Sequence, residues 1–280
     1  FWHTTDMKKL SVIALAFLLT GCANSQISQS FTITDNDVST ISIDSQSSFS
    51  VTRVVVLANG VAEIMKSLNA KALIFGRDLS SSEKALGDIP VVTSGHQVLP
   101  EKVIALKPDL VIIDASTGPK SAIDQIKSAG IRVEQTPESW NLEDISLKVQ
   151  AVADVIGAPL QGALLNQAMS SAITNSKLSS KPRIAFLYLR GTSSIYLIGG
   201  EGSGADSLIS AIGGIDVGAA VLPRPFNTMT AESLAMLNPD VIIVMTKGLE
   251  SVGGISGLLK LPGVAQTEAG KKQAIIDVDD

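Results

Sequence analysis

The chain has one cysteine, Cys22, in 280 residues, so neither an internal disulfide nor a site of several thiolates can form. Histidine is almost as rare: His3 and His96 are the only two, and only His96 lies beyond the N-terminal leader. One imidazole is too few for a zinc or manganese site of the usual composition. Aromatic residues make up 4%, and the formal net charge of −5 comes without any basic cluster, which argues against a nucleic-acid surface. The G-x-G-x-x-G fingerprint, the phosphate loop ending in Gly-Lys-Ser/Thr and the G-x-S-x-G nucleophile elbow are all missing. Common nucleotide-binding and hydrolase chemistries are thereby set aside.

What the chain does contain is an internal repeat. Residues 99–114 read LPEKVIALKPDLVIID, and residues 230–245 read TAESLAMLNPDVIIVM. At a constant offset of 131 residues (232 − 101), Glu101 falls on Glu232, Leu106 on Leu237, Pro108 on Pro239 and Asp109 on Asp240. Each copy predicts a short amphipathic helix stopped before a proline. An Asp-headed apolar run follows, as suits a parallel strand buried on both faces. This period is too long for a solenoid, so it points to two similar lobes.

The N-terminal stretch has a separate character. From Met7, MKKLSVIALAFLLTGC places two lysines before an apolar run and a small residue before Cys22, a signal peptide over 7–22. Its end, Leu19-Thr20-Gly21-Cys22, resembles the bacterial lipobox, which implies diacylation of Cys22; the alternative is an ordinary signal with an incidental cysteine. A lipid chain contributes about 0.8 kcal/mol per buried methylene, so two chains suffice to anchor a soluble domain. Residues 23–50, rich in Ser, Thr, Asn, Gln and Asp, read as a flexible tether.

The remainder predicts an α/β fold of two parallel-sheet lobes. The N-terminal lobe spans 51–140, with strands near 53–57, 72–76, 89–92, 110–113 and 131–134. A long connecting helix follows over 141–180, interrupted at Gly157 and Pro159. The C-terminal lobe spans 181–280, with strands near 183–189, 241–245 and 274–278, a helix over 205–212 and a glycine-rich loop over 248–257. It is expected to be truncated, because the sequence stops at a strand without a closing helix. The segment 199–204, GGEGSG, lacks phosphate-loop spacing and reads as a tight turn before the helix at 205. By itself, a lone loop histidine such as His96 is more often a surface residue than a ligand, and Tyr188, alternating with Phe186, reads as core.

Three phrases, GHQVLPEKVIALKPDLVI, RGTSSIYLIGGEGSGADSLI and VMTKGLESVGGISGLLKLPGVAQT, resemble the haem-binding lipoproteins of Gram-positive haem-uptake ABC transporters. Those belong to the wider class of binding proteins for haem, ferric siderophores and cobalamin. The resemblance runs from Arg53 to Asp280 and implies a bilobed clamp with a ligand cleft between the lobes. It implies a monomer without enzymatic activity, held outside the cell membrane by its lipid and serving an ABC permease and its ATPase.

Carried over, the resemblance makes His96 and Tyr196 the axial ligands of haem iron. A phenolate suits Fe(III), and imidazole is a general iron ligand. Some relatives have an Arg two residues after the ligand Tyr. Here that position is Ile198, and Arg224 is a candidate substitute or a partner for a haem propionate, against a reading as a solvated loop charge. Glu101 and Glu232 match the paired glutamates that dock on permease arginines, although the helix dipole alone also favours an acid there. A siderophore or cobalamin cargo remains the near alternative; a secreted enzyme is a more distant one.

Overall fold

The computed structural model describes residues 30–33, 37, 40–43, 48–95, 97–189, 191 and 196–278. By packing the chain falls into two units, the first comprising 40–175 with 201–211, the second 176–200, 212–280 and the N-terminal residues up to 39.

The first described strand, β1 (Phe31–Ile33), belongs to the second unit. The first unit then runs through β2 (Val54–Val56), α1 (Val61–Ser67), β3 (Ile74–Arg77), β4 (Thr93–Ser94), β5 (Gln97–Val98), α2 (Pro100–Ala105), β6 (Leu110–Ile113), α3 (Lys120–Ser128), β7 (Arg132–Gln135), α4 (Leu142–Ile156) and α5 (Pro159–Asn175). Its sheet has the order β3-β2-β6-β7, and every pairing is parallel. Strand alternation divides the core in two. Val54, Val56, Leu110 and Ile112 join Met65, Val152 and Ile156 on one face. Val55, Val111 and Ile113 join Val103, Ile123 and Ile126 on the other. Both faces are covered, and this is why the strands read as unbroken apolar runs; each such side chain contributes about 1.5–3 kcal/mol by burial.

Residues 141–180 form two helices rather than one continuous connecting helix. Gly157 takes a left-handed conformation (φ 83°) at the end of α4, and Pro159 begins α5. The helices run antiparallel. Asn166 Nδ2 donates to the Ser146 carbonyl at 3.0 Å, and Gln150 Nε2 to the Pro159 carbonyl at 3.1 Å. Gly162 permits the approach, since a Cβ there would lie 2.5 Å from Ala153 Cβ. Val149, Val152, Ala153 and Ile156 place α4 in the first unit's core.

The second unit contains β1, β8 (Arg183–Leu189), β9 (Tyr196–Gly199), β10 (Ile215–Asp216), β11 (Phe226–Thr228), α7 (Ala231–Leu237), β12 (Val241–Met245), α8 (Thr246–Ser251), α9 (Gly254–Leu258), α10 (Glu268–Lys272) and β13 (Ile275–Val278). Helix α6 (Ala205–Ala211), expected in this lobe, packs with the first unit instead. The sheet order is β1-β13-β12-β8-β9-β11, with β10 beside the start of β8. Strands β1, β13, β12 and β8 are parallel, whereas β9 and β11 run antiparallel to their neighbours. The expected glycine-rich loop over 248–257 is largely helical, in α8 and α9.

The expected tether also differs where it is described. Phe31–Ile33 pairs with Ile276–Val278, and Thr32 Oγ1 donates to Asp277 Oδ1 at 2.8 Å. Farther on, Ile41, Ile43 and Phe49 pack on the first unit's core, and the Ile43 N–H reaches the Ser67 carbonyl at 3.0 Å. These are isolated apolar residues in a polar stretch, too sparse to give a periodic signal.

The two repeat copies fold alike. Asp109 accepts from the N–H groups of Thr52 (2.7 Å) and Arg53 (3.1 Å) and from Thr52 Oγ1 (2.8 Å). Arg53 Nη2 returns a bond to the Leu106 carbonyl at the end of α2, at 2.6 Å. In the second unit Asp240 accepts from the Arg183 N–H at 2.9 Å, and Arg183 Nη2 donates to the Leu237 carbonyl at 2.6 Å. Both helices end in a left-handed residue before the proline, Lys107 at φ 48° and Asn238 at φ 42°. The Asp thus ties its own strand to the neighbouring strand, while the Arg covers an orphan helix carbonyl.

Candidate functional site

Ligands of open parallel sheets bind at the carboxyl ends of the strands. In the first unit these ends carry Asn59 after β2, Asp78 after β3, the β4–β5 hairpin and Asp114 after β6. The hairpin pairs Thr93 with Val98 and Ser94 with Gln97, and Gln97 also bridges to Gly118 in the loop after β6. His96 itself lies outside the described residues.

Among these residues is a buried ion pair with no counterpart in the sequence motifs. Lys148, on α4, brings its Nζ within 3.8 Å of Asp114 Oδ2, and both side chains are almost fully enclosed. Burial pushes the Asp114 carboxyl up, but bonds from Ser116, Thr117 and the Asn59 N–H, with the Lys148 charge, outweigh it and leave it below the usual range. Burial lowers Lys148, with Asp114, Glu138 and Glu63 opposing. On α1, burial is the first cause that raises Glu63, assisted by the charges of Asp78 and Glu83. Through Asp114 this network ties the loops after β2 and β6 to α4. Breaking such a pair by removing one partner leaves an uncompensated buried charge.

The second unit presents its two tyrosines differently. Tyr196, at the start of β9, pairs with Leu189 and points into the apolar core beside Leu187 and Ile198. Its hydroxyl donates to the Pro262 carbonyl at 2.6 Å, and burial pushes its ionisation up to about 12. Forming a phenolate there requires breaking that bond and exposing the ring. Tyr188 is near the carboxyl end of β8 on the opposite face, half-buried, with its ring 5.6 Å from that of Phe226. Phe186 stands 6.5 Å from Phe226 on the same face. The alternation with Phe186 that suggested a core residue is real, but it marks the less covered face. A sequence signal for Tyr188 did exist: Arg190, outside the described residues, stands two positions after it, at the spacing that Tyr196 lacks.

The other candidates are dispersed. Arg224 is exposed in the turn before β11, where its carbonyl accepts from Asn227 Nδ2 at 2.7 Å. Glu101 and Glu232 are exposed in the first turns of α2 and α7, at equivalent points of the repeat. Cys22 lies outside the described residues. In the 199–204 turn, the Gly202 and Gly204 N–H groups donate to Asp206 at 2.8 and 3.0 Å. Two of the turn's N–H donors are thus taken by the chain's own carboxylate.

Comparison with known proteins agrees with this architecture. A crystal structure of heme binding protein HmuT superposes with a TM-score of 0.75 and 30% identity, covering 92% of each chain. The uncharacterized ABC transporter substrate-binding lipoprotein YvrC of Bacillus subtilis (strain 168) is 25% identical over 292 residues, covering 96% of this chain and 88% of that protein. A vitamin B12-binding protein of Vibrio parahaemolyticus serotype O3:K6 is 22% identical over 206 residues, covering 72% of this chain and 74% of that protein. The family model described as periplasmic binding protein matches residues 54–280, from the first core strand onward, and the chain belongs to that family.

Proposed function

We propose that the protein captures haem outside the cytoplasm and delivers it to an ABC permease, with His96 and Tyr188 as the axial donors. The observation that carries this reading is the placement of Tyr188. It is a half-buried phenol at the carboxyl end of a central strand, on an aromatic face, followed at two residues by Arg190. A phenolate is the hard anionic donor that Fe(III) prefers. Tyr196, the donor first expected, is the weaker candidate because its hydroxyl is committed to Pro262 in the core. The similarity to HmuT favours haem over the cobalamin suggested by the B12-binding relative, because it covers more of the chain at higher identity.

In this reading the protein is a monomer that binds and releases its cargo without chemical change. Cys22 carries the lipid that holds it at the membrane, Arg224 is available to a propionate, and Glu101 and Glu232 meet basic residues of the permease. The equivalent exposure of the two glutamates supports that last role.

Hemin titration of the chain from Ala23 onward, followed by absorption, tests the proposal. Saturable one-to-one binding is expected, with the Fe(III) spectrum altered by His96→Ala and Tyr188→Phe and unaltered by Tyr196→Phe. A spectrum sensitive to Tyr196→Phe and indifferent to Tyr188→Phe would return the role to Tyr196. Absence of saturable hemin binding, with cyanocobalamin bound instead, would replace haem as the cargo.

A further inference from the structure

The N-terminal stretch was expected to leave the protein on a long leash, yet β1 is built into the edge of the second sheet. Its three residues pair in parallel with Ile276, Asp277 and Val278. Thr32 Oγ1 donates to Asp277 Oδ1, whose other oxygen accepts from Thr246 Oγ1 at 3.1 Å. Asp277 is only 6% exposed, and a buried carboxylate is stable there only with its oxygens hydrogen-bonded. Thr32 therefore supplies a bond that the second unit's own sheet needs. The strand also covers the edge of β13, which would otherwise present unpaired backbone groups to solvent.

We infer that β1 is a clip that shortens the membrane leash and fixes which edge of the protein lies nearest the bilayer. The inference rests on the proposed lipidation of Cys22. Phe31 lies nine positions after Cys22, whereas Ile41, where the chain next packs on the first unit's core, lies nineteen positions after it. Fully extended, these segments reach about 30 Å and about 65 Å. With the clip closed, the β13 edge of the second unit cannot leave the nearer shell. The protein then samples a thinner layer above the membrane, which raises its effective concentration at a permease in the same bilayer. The partner of the clip is the chain's own segment 31–33, and its consequence falls on encounter with the membrane rather than on cargo affinity.

Two measurements separate the clip from the anchor. Hydrogen exchange of the chain from Cys22 onward should show protection in the peptide covering residues 31–33. In Thr32→Pro that protection should fall about tenfold or more, with β8 and β12 peptides unchanged as a check on folding. An unprotected wild-type segment overturns the clip. The same proteins are then coupled through the single thiol of Cys22 to a supported phosphatidylcholine bilayer bearing maleimide lipid, and neutron reflectometry gives the layer thickness. Thr32→Pro should expand the layer; equal thickness overturns the leash inference even where the clip is protected. Mass spectrometry of the membrane-extracted protein reports lipidation separately. A mature protein without acyl chains overturns the anchor and leaves the clip to stand or fall on exchange.

Discussion

The two copies of the repeat solve one problem with different local means. Both hold an Asp-headed strand against a parallel neighbour in their sheet, and both use an Arg at the start of that neighbour to cover a helix-end carbonyl. Asp109 accepts three bonds and Asp240 accepts one from the Arg183 backbone. Conversely, α7 is capped by Thr230, whose side chain accepts from the Ser233 N–H, while α2 begins from Leu99 with Pro100 in its first turn and no side-chain cap. The first copy thus relies on its carboxylate and the second on its cap. Duplicated frames can keep a geometry while moving the interactions that stabilise it.

Substitution tests this division directly. Asp109→Ala is expected to destabilise by about 2 kcal/mol, more than Asp240→Ala at about 1 kcal/mol, as read by urea unfolding followed separately in each unit. Equal losses would break the contrast. Acid should reveal the same asymmetry. Burial pushes Asp109 up, but the bonds from Thr52 and Arg53 outweigh it and leave the carboxyl below its ordinary 3.8. Because the folded-state value is depressed, its stabilisation is full above the unfolded value and is lost as pH falls through the folded one. Asp109→Asn should therefore flatten the acid limb of the stability–pH curve of the first unit.

Smaller effects concern the helix ends. Thr230→Ala should cost about 1 kcal/mol by removing the cap of α7. Lys107→Asn, which gives the first copy the residue of the second at the left-handed position, should stabilise by about 0.5 kcal/mol, since Asn adopts that conformation more readily. A thermal shift of opposite sign in the Lys107 variant would show that its backbone is held by something other than local preference.

The repeat was visible in the sequence because its helix and strand are each specified by neighbouring residues: an amphipathic turn, a proline stop and an apolar run. The Arg–Asp ties were not. They join residues more than fifty positions apart, and the arginines sit one position out of step with the repeat, at offset 130 rather than 131. The alternation of Phe186 and Tyr188 located them on one strand face without revealing how well that face is covered. Conversely, Tyr196 sits in a suggestive segment, but its contact with Pro262 is sixty-six residues away and decides its environment. Lys148 escaped notice for the same reason: an amphipathic helix lysine looks like a solvated charge until its partner, Asp114, is brought beneath it by the fold. Gly157 and Pro159 marked the helix break in advance; that α4 and α5 turn back on each other depended on packing at Gly162.

The Thr32–Asp277 contact also orders events in time. The two residues are 245 positions apart, so Thr32 leaves the ribosome long before its partner exists. Synthesis runs at about 5–20 residues per second, which separates them by roughly 12–50 seconds. Throughout that interval β1 has no sheet to join, and the N-terminal stretch remains within reach of whatever processes it at the membrane. Closure of this sheet edge therefore waits until β13 has been made.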